Sequence, residues 1–408
     1  MVIVSCILGF KFLFYAKFRT IKRRFVALLI KYRSMEAFCI FLAALSTLLW
    51  IGFVLLPWRP WSNQEVLDAI DGSDGNEVLK EVTVVMPARN EAEVIQRTLQ
   101  SVTEQGPRLR IILIDDSSDD ATIEKAQQVP SANLRIVRSQ PLPVGWGGKL
   151  WALEQGRQLV GTPYTLLLDA DIELDRGVVI ALREKMRKEA VPFISLMAAP
   201  SMSIGWEKLL MPAFVYFFKV LYPFRLVNSH RAKMAAAAGG CILMETRLLE
   251  PIGGFVSIKS AVIDDCALAG RVKSQGIRIW LGLTHSVKSV RRYQLLREIW
   301  DMVARSAFAQ LRYSVWLLVL CTLSMVLVYE VPVFLVASQN ILVRFLALVS
   351  LAIMFVTYIP ILRFYHRSWV WALGLPLVAA FFLGMTWTSA VRYWRGERSR
   401  WKGRVHRR

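Results

Sequence analysis

Thr165-Leu166-Leu167-Leu168-Asp169-Ala170-Asp171-Ile172 is an apolar run closed by two carboxylates one residue apart. Such a run reads as a buried strand. Asp169 and Asp171 then sit at its C-terminal edge, where open α/β sheets bind ligands. Two hard oxygen donors there suit Mg²⁺ or Mn²⁺, and a divalent ion suits a diphosphate. A solvated strand end also explains an Asp-x-Asp, so the flanking sequence decides between the two.

Upstream, three more strands alternate with helices. Glu81–Met86 is β-rich and runs into Pro87-Ala88-Arg89-Asn90-Glu91. Glu93, Val94, Ile95, Thr98, Leu99 and Val102 then have helical spacing. Leu109–Ile114 ends in Asp115-Asp116-Ser117-Ser118-Asp119-Asp120, and Leu134–Val137 follows after a short helix. Pro141–Gly148 is a loop, and Lys149 opens the next helix. This alternation predicts an α/β domain with a mostly parallel sheet and right-handed crossovers. Glu91, Asp115-Asp116 and Asp169-Ala-Asp171 then share one edge. Several carboxylates in one crevice are costly unless a cation or sugar hydroxyls occupy it.

No G-x-G-x-x-G follows the first strand, which argues against a dinucleotide-dependent dehydrogenase. Gly147-Gly148-Lys149 lacks the rest of a Walker A loop. Its lysine and backbone N–H groups could still meet a phosphate; a helix N-terminus with a surface lysine is the other reading. Further on, Val262-Ile263-Asp264-Asp265-Cys266 opens a helix. Acids are favoured there by the helix dipole alone, or Asp265 is a general base facing a diphosphate.

The chain has 408 residues, 55% of them hydrophobic, and a formal charge of +20. Its mean hydropathy of +0.40 comes from apolar runs at both ends. Phe38–Leu56, about 315–337, 341–363 and 369–391 are each near span length. Trp58 and Trp61 after the first would lie at an interface, and no small-residue cleavage site follows, so it reads as an anchor rather than a signal peptide. Residues 1–34 carry eight Lys/Arg and no acid, and 392–408 carry eight with Glu397 the single acid. Basic ends beside apolar spans read as membrane-flanking segments. Nucleic-acid binding is not expected, because the middle of the chain has no basic-aromatic stripe. The five cysteines form no C-x-x-C and indicate neither a disulfide framework nor a zinc site.

The expected organisation is a basic segment 1–34 (with Met35 as an alternative start), an anchor 35–61 and a linker 62–80. A catalytic domain 81–290, an amphipathic interfacial helix 291–313, about three transmembrane helices in 314–392 and a basic tail 393–408 follow. Trp206–Phe224, interrupted by Pro212, reads as an in-plane membrane segment or a buried core helix. Glu330 and Arg344 are the clear charges well inside the later spans. One span before the domain and three after it put the basic tail on the side opposite the domain, whereas the positive-inside rule wants both on the cytoplasmic side. Either one apolar run is re-entrant or interfacial, or there is an extra span.

Together these motifs resemble those of an inverting family 2 glycosyltransferase with a GT-A fold, a Rossmann-like nucleotide-diphospho-sugar transferase domain with transmembrane α-helices at both ends. Pro87-Ala88-Arg89-Asn90-Glu91 resembles the first-strand motif bordering the nucleotide. Asp115-Asp116-Ser117-Ser118-Asp119 resembles a D-D-G-S motif with Ser for Gly. Asp169-Ala170-Asp171 resembles the D-x-D metal motif, and Asp264-Asp265 the acidic pair whose second member is the base. Gln310-Leu311-Arg312-Tyr313 partly resembles Q-x-x-R-W, one residue short and with Tyr for Trp. Trp146–Trp151, Ala236–Cys241, Ile263–Leu268 and Ala309–Ser314 look closest to hopanoid (hopene)-associated glycosyltransferases.

The resemblance implies a multi-pass inner (plasma) membrane enzyme with its catalytic domain on the cytoplasmic face. It would use a nucleotide-diphosphate sugar, a membrane lipid acceptor and Mn²⁺ or Mg²⁺. Asp169 and Asp171 would bind the metal, and Asp265 with Asp264 would be catalytic. Pro87, Arg89, Glu91, Asp115, Asp116, Lys149, Asp169, Gln310, Arg312 and Tyr313 would bind the nucleotide sugar. A membrane sensor or transporter with a degenerate nucleotide-sugar domain, and a processive polysaccharide synthase, are the alternatives. The altered Gln310–Tyr313 stretch weakens the synthase, and a sensor has no use for a base at Asp265.

Overall fold

A computed structural model describes residues 35–70, 75–401 and 404–407. The basic segment 1–34, with the question of an earlier start, lies outside the described residues, as do Asp71–Asp74 of the expected linker and parts of the basic tail. The chain divides into two units: residues up to Phe53 with Leu323–Met354, and Val54–Thr322 with the residues from Phe355 onward.

The first unit is helical. It holds most of α1 (Met35–Leu55) and the middle of the later apolar run. Trp50 is buried, donates its indole N–H to Val328 O at 3.0 Å, and meets Tyr329 edge-on at 5.6 Å. Thr47 Oγ1 lies 3.0 Å from Ser350 Oγ, so a hydroxyl pair is satisfied inside an apolar bundle. Arg344 donates to Ser338 O at 2.8 and 3.1 Å, a helix-end bond that accounts for one intramembrane charge.

The second unit is built on an eight-stranded sheet in the order β3-β2-β1-β4-β7-β6-β8-β5. After α2 (Gly75–Leu79) come β1 (Val82–Ala88), α3 (Ile95–Thr103), β2 (Arg110–Asp115), α4 (Thr122–Gln127), β3 (Leu134–Arg138), α5 (Gly148–Arg157) and β4 (Tyr164–Leu168). These four strands pair in parallel. β5 (Ile172–Leu174), α6 (Val178–Glu189), β6 (Phe193–Ala199), α7 (Gly205–Leu221), α8 (Phe224–Asn228) and β7 (Cys241–Glu245) follow. Then come α9 (Asp264–Ser274) and β8 (Trp280–Ser289). β7 runs antiparallel between β4 and β6, while β8 is parallel to β6 and antiparallel to β5.

The register fixes the site. Ala88 lies opposite Asp115, Leu168 opposite Cys241, Leu196 opposite Cys241, and Ile172 opposite Ser289. The C-terminal ends of β1, β2, β4, β6 and β8 therefore meet the starts of β5 and β7 at one edge. Both faces of β1 are buried, as a strand covered by helices on both sides requires.

Three boundaries differ from expectation. The 62–80 segment is not a free linker. Leu67 N donates to Leu283 O and Leu283 N to Glu65 O, and Asp68 accepts from His285 N and Thr284 Oγ1, so this stretch is strapped along β8. Gly177, at φ +89°, fits the strap closely; a Cβ there would stand 2.0 Å from Ile70 O. Trp206–Phe224 holds a packed helix: Leu210, Met211, Ala213, Val215, Tyr216 and Lys219 of α7 are buried, and the helix continues through Pro212. Residues 291–313 are not one helix. They form an extended lead, α10 (Leu296–Ala304), and a four-residue α11 (Ala307–Gln310), because the chain breaks at Arg305-Ser306.

Beyond them are α12 (Val315–Met325), a wide turn Val326–Glu330, α13 (Val331–Leu335), α14 (Ile341–Phe364) and α15 (Leu375–Trp394). β9 (Glu397–Trp401) and β10 (Arg404–Arg407) form a terminal hairpin. Four stretches are long and apolar enough to cross a membrane: Met35–Leu55, Val315–Leu335, Ile341–Phe364 and Trp369–Trp394.

Candidate active site

Two loops and a helix start bring the acidic motifs together. Asp169 follows β4, and its N–H donates to Gly240 O at 3.2 Å, just before β7. Asp171 precedes β5, and its carbonyl accepts from Val290 N at 2.9 Å. Asp264 and Asp265 form the first turn of α9, where the helix dipole favours negative charge.

Two cations interleave these acids. Lys149 Nζ, in the first turn of α5, is 2.7 Å from Asp169 Oδ1 and 3.4 Å from Asp264 Oδ2. Burial pushes its amine down, but the charges of Asp169 and Asp264 outweigh that and raise it above the usual lysine range. Arg291 Nε is 2.7 Å from Asp171 Oδ2, and its Nη2 lies 2.9 Å from both oxygens of Glu91. The site thus alternates sign, which offsets the cost of gathering carboxylates in a half-buried crevice.

Asp265 is held differently. Gly239 N donates to its Oδ2 at 2.8 Å and Cys266 N to its Oδ1 at 2.7 Å. Burial, followed by the neighbouring charge of Asp264, raises its carboxyl to about 6 despite the pull of Lys149. A Cβ on Gly239 would sit 3.3 Å from both Asp265 Oδ2 and Lys149 Nζ, so a glycine leaves this gap open.

A cavity of about 770 Å³ opens above these groups. Pro87, Glu91, Lys149, Asp169, Asp171, Asp264 and Asp265 line its polar floor. Met197, Met211, Phe214, Phe218 and Met302 supply an apolar wall, and Arg305 and Arg392 also face it. The set can hold an anion against cations, take a proton at Asp265, and accommodate an apolar body. Asp169 and Asp171 fit a divalent cation in kind: Mg²⁺ is commonly held by one or two carboxylates and completed by substrate phosphates. Among the described residues no cluster of three or more His, Cys, Asp or Glu forms a closed cage.

The other expected residues fall in two groups. Arg89, Asp115 and Asp116 lie at the β1–β2 end, beside the crevice but outside its lining. Arg89 Nη1 donates to Asp116 O and Ser117 O at 2.5 and 2.6 Å, and Asp115 Oδ1 accepts from Ser118 Oγ at 2.5 Å. Gln310, Arg312 and Tyr313 do not line the crevice, a correction to the sequence reading. The break after α10 turns them away: Arg312 and Tyr313 have φ of +52° and +56°, Arg312 is exposed, and Tyr313 stacks on Tyr393 at 4.2 Å. Gln310 Oε1 instead accepts from Tyr222 OH at 2.5 Å. Arg291 and Arg305 take the cationic positions that Arg312 was expected to fill. Arg291 was legible as the arginine just past the C-terminal end of β8.

Residues 83–253 match the family model described as Glycosyl transferase family 2. A 4,4′-diaponeurosporenoate glycosyltransferase of Staphylococcus haemolyticus is 30% identical over 124 residues, covering 30% of this chain and 33% of that protein. The chain therefore spans about a third of the length of this curated relative. Among solved structures, a mannosyltransferase from Pyrobaculum calidifontis, in complex with GDP-Man and Mn²⁺, superimposes with a TM-score of 0.51 at 18% identity, over 88% of this chain and 100% of that one. The sheet order and this superposition give the second unit a GT-A fold, and residues 83–253 within it are the ones that match the glycosyl transferase family 2 model.

Proposed function

We propose that the protein is a membrane-bound inverting glycosyltransferase that moves a sugar from a nucleotide-diphosphate donor, a UDP-sugar by resemblance, to a lipid hydroxyl. The observation that carries this reading is Asp265: a half-buried carboxylate, oriented by two backbone N–H groups, in the same crevice as Lys149 and Asp169. The name of the Staphylococcus haemolyticus relative supports glycosyl transfer. The apolar wall of the cavity supports a lipid acceptor, and the sequence resemblance supports a hopanoid-related one. The four long apolar helices support a membrane location; an inner (plasma) membrane and a cytoplasmic face for the domain rest on the sequence resemblance.

In this reading the nucleoside lies over the β1–β2 end, by Pro87, Glu91, Asp115 and Asp116. Lys149 and Arg291 flank the diphosphate, where charge develops as the C1–O bond breaks. Asp169 and Asp171 would hold a divalent cation, Mn²⁺ or Mg²⁺, which when bound offsets the charge of the leaving diphosphate. Asp265 removes the proton from the acceptor hydroxyl. That oxygen attacks C1 opposite the leaving group and inverts the anomeric centre. The proton resides on Asp265 until exchanged with solvent, and the nucleoside diphosphate leaves. Met211, Phe214 and Phe218 exclude water from the acceptor side, limiting hydrolysis of the donor.

A general base must be ionised to act. With the Asp265 carboxyl raised to about 6, kcat/KM is expected to be flat above neutrality and to fall about tenfold per pH unit below that value. A pH–rate profile at fixed metal and donor checks this. A profile unchanged down to pH 4.5 removes Asp265 as the base.

A further inference from the structure

The sequence leaves a conflict: four apolar runs, one before the catalytic domain and three after it, strand the basic tail opposite that domain. The structure offers a resolution in α15. We infer that α15 does not cross the bilayer but lies along the catalytic domain at the membrane surface. The chain then crosses three times, through Met35–Leu55, Val315–Leu335 and Ile341–Phe364, and the tail stays on the domain's side. This rests on the reading of the chain as a membrane protein.

α12 begins where the domain ends: Leu318 packs with Phe308 of α11 and with Ala390. α14 returns to the domain, since Phe364 O accepts from His285 Nε2 of β8 at 2.9 Å and the Phe364 ring stacks on that imidazole at 4.0 Å. Between them the chain passes through the first unit, so this pair accounts for one exit and one return.

α15 makes no such exit. It has 20 residues, about 30 Å of helix and enough to span the hydrocarbon core, yet both its ends and its middle are fixed to the domain. At its start, Gly374 lies against Leu209 of α7, where a Cβ would meet Leu209 Cδ1 at 3.0 Å. In its middle, Phe382 packs on Phe217 at 5.1 Å and Phe381 on Trp206 at 6.0 Å. Near its end, Trp300 Nε1 donates to Thr388 Oγ1 at 3.0 Å, Phe308 N donates to Ser389 Oγ at 3.0 Å, and Arg392 pairs with Asp301.

The partners are themselves tied to the site. Glu207 at the start of α7 accepts from Tyr293 N at 2.7 Å, and Lys219 near its end bonds Ser62 O and Asn63. α10 carries Arg297, Glu298 and Asp301, which line the crevice. A helix crossing the membrane would carry one end about 30 Å away from these groups. The run that includes α15 is also the least apolar of the four candidates. The consequence is chemical as well as topological: Ser389, Arg392 and Glu397 all reach the rim of the cavity above the catalytic carboxylates.

Two protease-cleavable epitope tags on one full-length chain test this. One is inserted after Ala132, in the exposed turn before β3 and at the sheet edge away from the site; the other follows Arg408. Membranes are prepared as right-side-out spheroplasts and as inverted vesicles, and each is treated with protease. The inference predicts that both tags respond together, protected in one preparation and cleaved in the other. Opposite responses within one preparation would overturn it while leaving the glycosyltransferase reading intact. Release of the chain by alkaline carbonate would overturn it together with the membrane reading, whereas lost transfer activity with concordant tags would count against the proposed function alone.

Discussion

Asp265→Asn is expected to lower sugar transfer by about 10²- to 10⁴-fold, the range a positioned general base supplies, while leaving donor affinity nearly unchanged. The asparagine keeps the shape and one acceptor oxygen for Gly239 N or Cys266 N. It cannot take a proton from the acceptor. Its two backbone donors, Gly239 and Cys266, stand at the start of β7 and of α9 rather than at the β1–β2 end, where the nucleoside would lie. Transfer assays beside donor titrations by calorimetry read the two effects separately. A variant that loses donor binding in proportion to its activity would assign Asp265 to the donor rather than to the acceptor.

Asp171→Ala is expected to act on the donor side. It removes one of the two carboxylates suited to a divalent cation and strips Arg291 of its 2.7 Å partner. Arg291 then pairs with Glu91 alone, and its guanidinium no longer points to the place where Asp171 held it. The expected result is loss of metal-stimulated donor binding and a fall in kcat/KM of about 10²-fold or more. Titration of Mn²⁺ and Mg²⁺ against donor affinity is the measurement. A variant that keeps the parent's metal dependence would show that Asp171 serves only to position Arg291.

Much of the frame was legible because it rests on local pattern. Each of the first four strands is a short apolar run bounded by turn residues, and the sheet pairs them in parallel as that alternation requires. The acidic pairs were legible because strand ends and helix starts are fixed by the same pattern, which places Asp169, Asp171, Asp264 and Asp265 in one crevice. What the sequence hid depends on long-range contact. Lys149 was legible as a phosphate contact at a helix start, but its place between Asp169 and Asp264 was not, since it arises from the tertiary approach of the starts of α5 and α9.

The misreading of Gln310–Tyr313 has a similar cause. Amphipathic spacing through 291–313 gives no warning of a break at Arg305-Ser306, because neither residue is a strong helix breaker. The left-handed backbone at Arg312 and Tyr313 is selected by tertiary packing, with Tyr313 stacked on Tyr393. The 62–80 stretch likewise reads as a polar linker, but Asp68 is recruited by His285 more than two hundred residues away. Span-length apolar runs say that a helix can enter a membrane, and α15 illustrates that tertiary partners decide whether it does.

The central claim is that this crevice transfers sugar to a lipid. The most direct test takes the purified full-length protein in detergent with a panel of nucleotide sugars, Mn²⁺ or Mg²⁺, and host lipid extract present or absent. The account predicts lipid-stimulated release of nucleoside diphosphate from one donor, sugar recovered on a lipid, and loss of both in Asp171→Ala. Metal-dependent binding of a donor with no turnover under any lipid would contradict it and make the domain a sensor of nucleotide sugars.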